Sequence, residues 1–324
     1  MTGTARVDVK AIEVEFEQYR PELTAYCYRM LGSAFEADDA VQETLVRAWR
    51  SFDTFEGRAA LRSWLYRIAA NVCFDMLRGR KRRAMPVDMS APGRGDGTVD
   101  GPLPDDIWLG PVPDASVIAR AADPAEQAVV RESVRLAFVA ALQHLPPRQR
   151  AVLILREVLK WRASEVAELL DTSVQSVNSA LQRARATLAQ SNLSNPAEPE
   201  DAEMQELLAR YVDAFERFDV DTMVSLLHED ATMMMPPYPL WMVGAEEYGK
   251  WLRGSGSGCR GSILRPVAAN GAPAFAQWRV SPDGGYDAWS IHILELSEGR
   301  ITGINFFVDP ALFALFDLPT HLDG

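Results

Sequence analysis

The sequence predicts a multidomain protein: two all-α helical domains, the second with a helix-turn-helix, followed by an α+β domain with a curved antiparallel sheet. Three observations predict it. Apolar residues recur at spacings of three and four over residues 12–84, and again from about 125 to 190. Between those runs periodicity vanishes and Pro, Gly and Asp take over, in "PVDMSAPGRGDGTVDGPLPDDIWLGPVPD". Beyond residue 200 a helical stretch gives way to alternating, aromatic-rich runs such as "APAFAQWRV", "YDAWSIHILEL" and "RITGINFFVD", separated by turns that contain Gly.

With 324 residues, 48% of them hydrophobic, the chain has material for two or three globular units, and its composition excludes wholesale disorder. Its opening, "MTGTARVDVKAIEVEFEQYR", lacks an apolar core of signal-peptide length, and no run of about 18 apolar residues follows. A cytoplasmic location is therefore expected. Cys27, Cys73 and Cys259 are far apart and lack C-x2-C spacing, so they are expected to be buried thiols in a reducing compartment, with no metal and no cofactor.

The formal net charge of −12 would repel a phosphate backbone if it were spread evenly. It is not. Residues 196–324 hold 8 Lys/Arg against 20 Asp/Glu, whereas the first 195 residues hold 25 of each. Residues 61–85 hold seven basic residues and one acidic residue, Asp75. A nucleic acid feels charge only within a Debye length of roughly 8 Å, so local basic patches survive the acidic total.

In the first helical unit, Leu23, Tyr26, Cys27, Met30 and Leu31, then Val41, Leu45, Ala48 and Trp49, then Leu61, Trp64, Leu65 and Ile68 supply the apolar stripes. Within "FEADDAVQETLVRAWRSF", Glu36, Asp38 and Asp39 suit a helix start. Asp39 and Glu43, however, sit at i,i+4, where like charges repel, and Asp38 and Gln42 share the adjacent strip. Such a strip calls for a basic partner. Further on, aromatics interleave with arginines: Phe52, Phe55, Arg58, Arg62, Trp64, Tyr66 and Arg67, running into "RGRKRR". Aromatic faces accept unstacked bases while arginines hold the strand, although at least one of Trp64 and Tyr66 is expected in the core.

In the second unit, "EVAELLDTSVQSVNSALQRARATL" reads as two short helices about a tight turn. Ser164 is placed to cap the first. The second is expected to bury Val174, Val177, Leu181, Ala184 and Leu188, turning Gln175, Ser176, Asn178, Ser179, Gln182, Arg183 and Arg185 outward. These residue types hydrogen-bond base edges and phosphates in a major groove. An ordinary amphipathic hairpin would look similar from this segment alone.

Taken together, "ADDAVQETLVRAW", "LRSWLYRIAANVCFDMLRGRKRR", "LPPRQRAVLILREVL" and the helix-turn-helix resemble the two conserved regions of an extracytoplasmic-function sigma factor of bacterial RNA polymerase. The "SVNSALQRARATL" stretch and the C-terminal domain point to the branch with a fused SnoaL-like (NTF2-like) domain. The resemblance implies sigma region 2 over 12–84, a flexible acidic linker over 85–124, region 4 over 125–190, a short linker over 191–200 and a SnoaL-like regulatory domain over 201–324. It implies that Asp38, Asp39, Gln42 and Glu43 dock on the clamp helices of the β′ subunit of core polymerase. Residues Phe52 to Arg67 would melt and hold the minus-ten element of promoter DNA, and Gln175, Ser176, Asn178, Ser179 and Arg183 would read the minus-thirty-five element. The linker acids Asp88, Asp96, Asp100, Asp105, Asp106, Asp114 and Asp123 would thread the polymerase's RNA path as a nucleic-acid mimic. Asn178 and Ala180 stand where many family members carry Lys and Arg, so the promoter sequence read cannot be copied from them.

The C-terminal fold so implied serves small cyclases and isomerases as well as non-catalytic modules. Candidate pocket residues are Asp230, Met233, Met235, Trp241, Trp251, Trp278, Trp289, His292 and Phe306. Asp230 and His292 are the ionisable ones, and no second acid is spaced to make a recognisable catalytic pair. The expected function is a sigma factor regulated by its tail through intramolecular contact. Alternatives are a bifunctional protein with an enzymatic tail, and a nucleic-acid binder unrelated to polymerase. The apolar end, with Leu312, Phe313, Leu315 and Phe316, must pack on the tail's own sheet or on a helical domain.

Overall fold

A computed structural model describes residues 14–52, 55, 60–118, 124–189 and 201–323. The chain forms two compact units: residues 1–81 with 115–192, and residues 82–114 with 193–324.

In the helical unit, α1 (Arg20–Leu31) starts with Pro21 in its first turn and ends at Gly32, whose φ of 74° is the left-handed conformation glycine adopts without penalty. Ser33 then caps α2 (Ala34–Ser51), its hydroxyl accepting from the Glu36 amide. Then comes α3 (Leu61–Leu77), tied to α1 by the Arg62 guanidinium on the Glu22 carboxylate at 2.7 and 2.8 Å. Tyr26 and Tyr66 meet edge to face beneath that pair. Past α4 (Pro124–Glu132) the second helical domain comprises α5 (Leu136–Gln143), α6 (Pro147–Leu153) with its π-helical extension Ile154–Val158, α7 (Ala163–Leu169) and α8 (Val174–Leu188).

These two helical domains pack on each other through buried arginines. Arg29 of α1 donates to the carbonyl and hydroxyl of Ser133 at 3.1 and 2.6 Å. Arg150 of α6 donates to the Met30 carbonyl and, at 2.7 to 3.2 Å, to Gln143 and the Leu145 carbonyl. Burial lowers both guanidinium pKa values to about 10, which leaves each charged at neutral pH.

In the second unit, α9 (Asp201–Glu216), α10 (Val220–Ser225) and α11 (Ala245–Arg253) accompany a seven-stranded sheet in the order β2-β1-β6-β5-β4-β3, with the short β7 beside β5. The strands are β1 (Leu227–Met234), β2 (Trp241–Val243), β3 (Ile263–Ala269), β4 (Ala272–Val280), β5 (Tyr286–Ser297), β6 (Arg300–Phe307) and β7 (His321–Leu322). The sheet is mixed rather than antiparallel throughout, because β1 runs parallel to β6. Alternation along a strand cannot reveal its partner's direction. Irregularities at Gln277/Trp278 and Glu295/Leu296 bend the sheet. One face carries the main core with Tyr211, Phe215, Phe275 and Phe306. Trp278 is buried against Phe313 of α12 (Leu312–Leu315), with ring centroids 4.9 Å apart, so the apolar chain end packs on the tail's own sheet.

The segment expected to be a flexible linker is a docked strap over residues 82–114. Ala84 and Trp108 form a bridge, and the buried Arg83 donates to the Trp108 and Asp105 carbonyls, closing the segment on itself. Backbone bonds then seat it on the C-terminal domain: Gly93 amide to Trp241 carbonyl at 2.7 Å, Leu103 amide to Pro237 carbonyl at 2.9 Å, and the Val112 amide to Asn270 Oδ1 at 2.9 Å. Asp88 and Asp114 accept backbone amides from Met85 and Gly271, while Asp96, Asp100, Asp105 and Asp106 are exposed. Asp123 and residues 191–200 lie outside the described residues. Main-chain pairing of this kind leaves no side-chain period, which is why the sequence reads as unstructured.

Candidate functional site

The helix-turn-helix forms around Asp171, which takes a left-handed φ of 50° between α7 and α8. Ser164 lies inside α7 rather than at its cap. The helix starts earlier, where the Glu165 carboxylate accepts from the Arg162 amide at 2.7 Å. Ser173 caps α8, accepting from the Ser176 amide at 3.1 Å. Val177, Leu181 and Ala184 are buried, Leu188 is half-buried, and Val174, expected inside, is 43% exposed because it stands at the first position of α8, ahead of the first buried residue Val177. Gln175, Ser176, Asn178, Gln182, Arg183 and Arg185 are exposed and Ser179 is half-buried. Gln175, Asn178, Gln182 and Arg183 make no side-chain hydrogen bond or ion pair among the described residues, whereas Arg185 reaches Glu157 at 2.6 Å.

On α2, Asp38, Asp39, Gln42 and Glu43 are all exposed. Gln42 donates to Asp38 at 2.7 Å, which also lies 3.8 Å from Arg20, and Glu43 pairs with Arg47 at 2.7 Å. Asp39 has no such partner among the described residues. Val46 and Trp49 continue the same face at 42% and 53% exposure. Trp49 thus stands in solvent beside the acids, where helical spacing had put it in the core.

The interleaved aromatics do not stand apart as platforms. Phe52, Phe55 and Trp64 pack together with centroids 5.0 to 6.3 Å apart, joined by Phe16, and each is only half-buried. Tyr66 is core, as one of the pair was expected to be. Arg62 is held by Glu22 and sits 5.4 Å from both the Tyr66 and Trp161 rings. Trp161, from the second helical domain, lies 5.1 Å from the Tyr66 ring. Arg67 is exposed, and Arg58 lies outside the described residues.

The C-terminal domain holds a cavity of about 400 Å³. Of the expected pocket residues, Met235, Trp251, Trp289 and Phe306 line it. Met233 lies beside it in a small apolar recess. Asp230 is exposed on β1, Trp241 is turned to the strap with its indole donating to the Ser90 carbonyl at 2.9 Å, and Trp278 faces the opposite side of the sheet with its indole on the Pro319 carbonyl at 3.1 Å. Strand alternation explains the last error: Gln277 and Arg279, which flank Trp278, are the residues that line the cavity. Tyr248 and Cys259 also line it and were missed, as was Val99 of the strap.

His292 lies one layer behind the cavity and is fully enclosed. Its Nε2 approaches Gln277 Oε1 and Ser290 Oγ, each at 3.0 Å, and its Nδ1 approaches Tyr211 Oη at 3.1 Å. Gln277 Oε1 can only accept, so Nε2 carries the proton and Nδ1 accepts from the tyrosine. Burial, reinforced by the nearby Arg279 charge, lowers the imidazole pKa to about 3. The described residues contain no cluster of three or more His, Cys, Asp or Glu able to hold a metal ion, and the three cysteines are buried and free. No described helix is long and apolar enough to cross a membrane.

These parts match known families in the same order. Residues 16–83 match Sigma-70 region 2, residues 135–188 match Sigma-70 region 4, and residues 208–304 match the SnoaL-like domain. The ECF RNA polymerase sigma factor SigG of Mycobacterium tuberculosis is 43% identical over 314 residues, covering 94% of this chain and 83% of that protein. SigJ of the same species is 32% identical over 218 residues, covering 67% of this chain and 62% of its own length. The crystal structure of M. tuberculosis SigJ shares the fold, with a TM-score of 0.61 and 22% identity over 95% of this chain and 100% of that one. Two helical sigma regions and a curved-sheet SnoaL-like domain define a sigma factor with a C-terminal extension. The chain belongs to the extracytoplasmic-function sigma factors.

The neutral state of His292 has a consequence for stability. Between about 6.5 and about 3 the unfolded chain binds a proton that the folded chain refuses. The stability present above that window is therefore lost as pH falls through it, at up to about 1.4 kcal/mol per pH unit. Urea titrations of the C-terminal transition at pH 7, 6 and 5 should show this slope, and His292→Gln should flatten it; an equal slope in the variant would remove His292 as its source.

Proposed function

We propose that the chain binds core RNA polymerase in the cytoplasm and directs promoter-specific initiation, with its C-terminal domain acting as a regulator rather than as an enzyme. The observation that carries the reading is the unoccupied polar face of α8, held rigidly on a buried Val177, Leu181 and Ala184 stripe. Four of its side chains keep their hydrogen-bonding capacity for an outside partner. On α2, an acidic strip that continues into exposed Val46 and Trp49 suits a basic helical surface with apolar contacts, as the β′ clamp helices would provide. Against catalysis in the tail, His292 is neutral and enclosed, and Asp230 is exposed on β1 and is not among the cavity's lining residues.

In this reading, opening the promoter requires the helical domains to part. Arg62 serves Glu22 and lies against Trp161, so it can hold a melted strand only after that contact is given up. The strap imposes a second condition. An acidic segment cannot thread the polymerase while its amides bond to Trp241 and Pro237 of the C-terminal domain. Retention of the strap is how the C-terminal domain modulates activity.

Three outcomes test this. Asp38→Lys with Asp39→Lys should abolish association with core polymerase in a pull-down while leaving the circular dichroism spectrum unchanged; retained binding would remove α2 as the docking face. Asn178→Ala should relax promoter choice at one or two upstream positions, each good base contact being worth about 1 to 3 kcal/mol. Arg185→Ala should instead weaken binding evenly across sequences, as loss of a phosphate contact does, and identical shifts in specificity would refute that division of labour. Finally, a Cβ on Gly95 would fall 2.0 Å from the Glu247 carbonyl oxygen, so Gly95→Val should unseat the strap. Run-off transcription at limiting core polymerase should then rise, and unchanged activity despite faster hydrogen exchange in residues 93–103 would sink the strap mechanism.

A further inference from the structure

The cavity of the C-terminal domain has a chemistry of its own. Its walls are flat and apolar: Tyr248 stacks within 12° of parallel on Trp251 and within 27° on Phe306. Set into them is one cation. The Arg279 guanidinium lies over the Trp289 ring at 3.6 Å and donates to Cys259 Sγ at 3.1 Å, a weak acceptor. No carboxylate among the described residues lies within ion-pair distance of it, since its cross-strand neighbour Asp287 is engaged by His321 at 2.8 Å.

Nine buried side-chain polar atoms among the described residues lack a hydrogen-bond partner, and Arg279 Nε, Tyr248 Oη and Trp251 Nε1 are three of them. All three belong to residues that line this cavity. Tyr248 and Trp251 are 1% and 7% exposed, so their polar groups are removed from bulk water and are costly when left unpaired. The amide of Gln277, also at the wall, does not supply the missing acceptor. Its Oε1 takes Ser290 Oγ at 2.7 Å and His292, and its Nε2 donates to Ser262 Oγ at 2.9 Å. What the cavity offers is therefore a positive charge and surplus donors between aromatic planes.

From this we infer that the cavity is a binding site for a small organic acid with a flat apolar body, its anionic oxygens taken by Arg279, Tyr248 Oη and Trp251 Nε1. A volume of about 400 Å³ suits a ligand of two or three fused rings. Such a ligand supplies acceptors to each orphaned donor and a counter-charge to the guanidinium, and its rings replace solvent against Trp289 and Phe306. The site is closed in part by Val99 of the strap, between the anchor of the Gly95 amide on Glu247 at 2.8 Å and that of Leu103 on Pro237. The same strap joins the two helical domains along the chain, so occupancy beneath it bears on the segment proposed above to be released. The binding inference itself does not depend on that proposal.

The test uses the full-length protein and two probes of equal shape, 2-naphthoate and the neutral 2-naphthalenemethanol, titrated by calorimetry at pH 7.5. The naphthoate should bind at least tenfold more tightly than the alcohol. Arg279→Met should erase that preference while leaving the alcohol's affinity within twofold. Tyr248→Phe, which removes only the hydroxyl, should weaken naphthoate alone and keeps the test valid if Arg279→Met fails to fold. Equal affinity of the two probes for the wild-type protein, saturable binding of neither, or a preference that survives intact in folded Arg279→Met and Tyr248→Phe would each overturn the inference.

Discussion

The arrangement of the helical half depends on two arginines buried without carboxylates. Arg29 of α1 reaches across to Ser133, and Arg150 of α6 reaches back to the Met30 carbonyl beside it. Each takes a cation out of water, which costs several kcal/mol; Arg29 recovers this through Ser133 of the other domain, and Arg150 through Gln143 and Leu145 of its own domain together with the Met30 carbonyl across the seam. The contact is thus conditional. Separating the domains removes the Ser133 acceptors from Arg29 and the Met30 carbonyl from Arg150 and returns that part of each guanidinium to water. A seam made of hydrocarbon would instead expose apolar surface to water on parting.

Around that seam lie the groups through which the protein meets polymerase and promoter in the proposed reading. Trp161 rests on Tyr66 and near Arg62, and Arg62 in turn holds α3 to α1 through Glu22. The α8 face and the α2 strip are exposed, whereas the part of α3 facing Trp161 is covered. In that reading the surfaces proposed for docking and recognition are exposed, while part of the surface proposed to hold a strand is engaged by Trp161.

In the C-terminal half the corresponding constraint is main-chain hydrogen bonding. The strap is held by the amides of Gly93, Leu103 and Val112 and by the Val112 carbonyl, which accepts from the Asn270 amide, with few side chains buried between Pro86 and Ile107. Bonds of this kind form and break without dismantling a core, because the sheet and its helices keep their own apolar cluster. The segment so attached lines the cavity through Val99.

Local pattern carried a large share of this in the sequence. Three- and four-residue spacing marked the helices, the apolar positions Val177, Leu181 and Ala184 fixed which face of α8 turns outward, and charge segregation separated the acidic tail from the basic stretch that begins at Arg62. These features are set within one or two helical turns, so nearest neighbours suffice to read them. Four matters were decided only by tertiary structure. The parallel pairing of β1 with β6 joins strands far apart in sequence. The choice of Gln277 and Arg279 over Trp278 as cavity residues follows from which sheet face the helices cover. Trp49 stands in solvent because no described element packs over that end of α2's face, although its spacing is that of a core residue. The strap over residues 82–114 is ordered by backbone hydrogen bonds along its length and by the buried Met85, Trp108, Leu109 and Val112 near its ends, an arrangement that follows neither a helical nor a strand period.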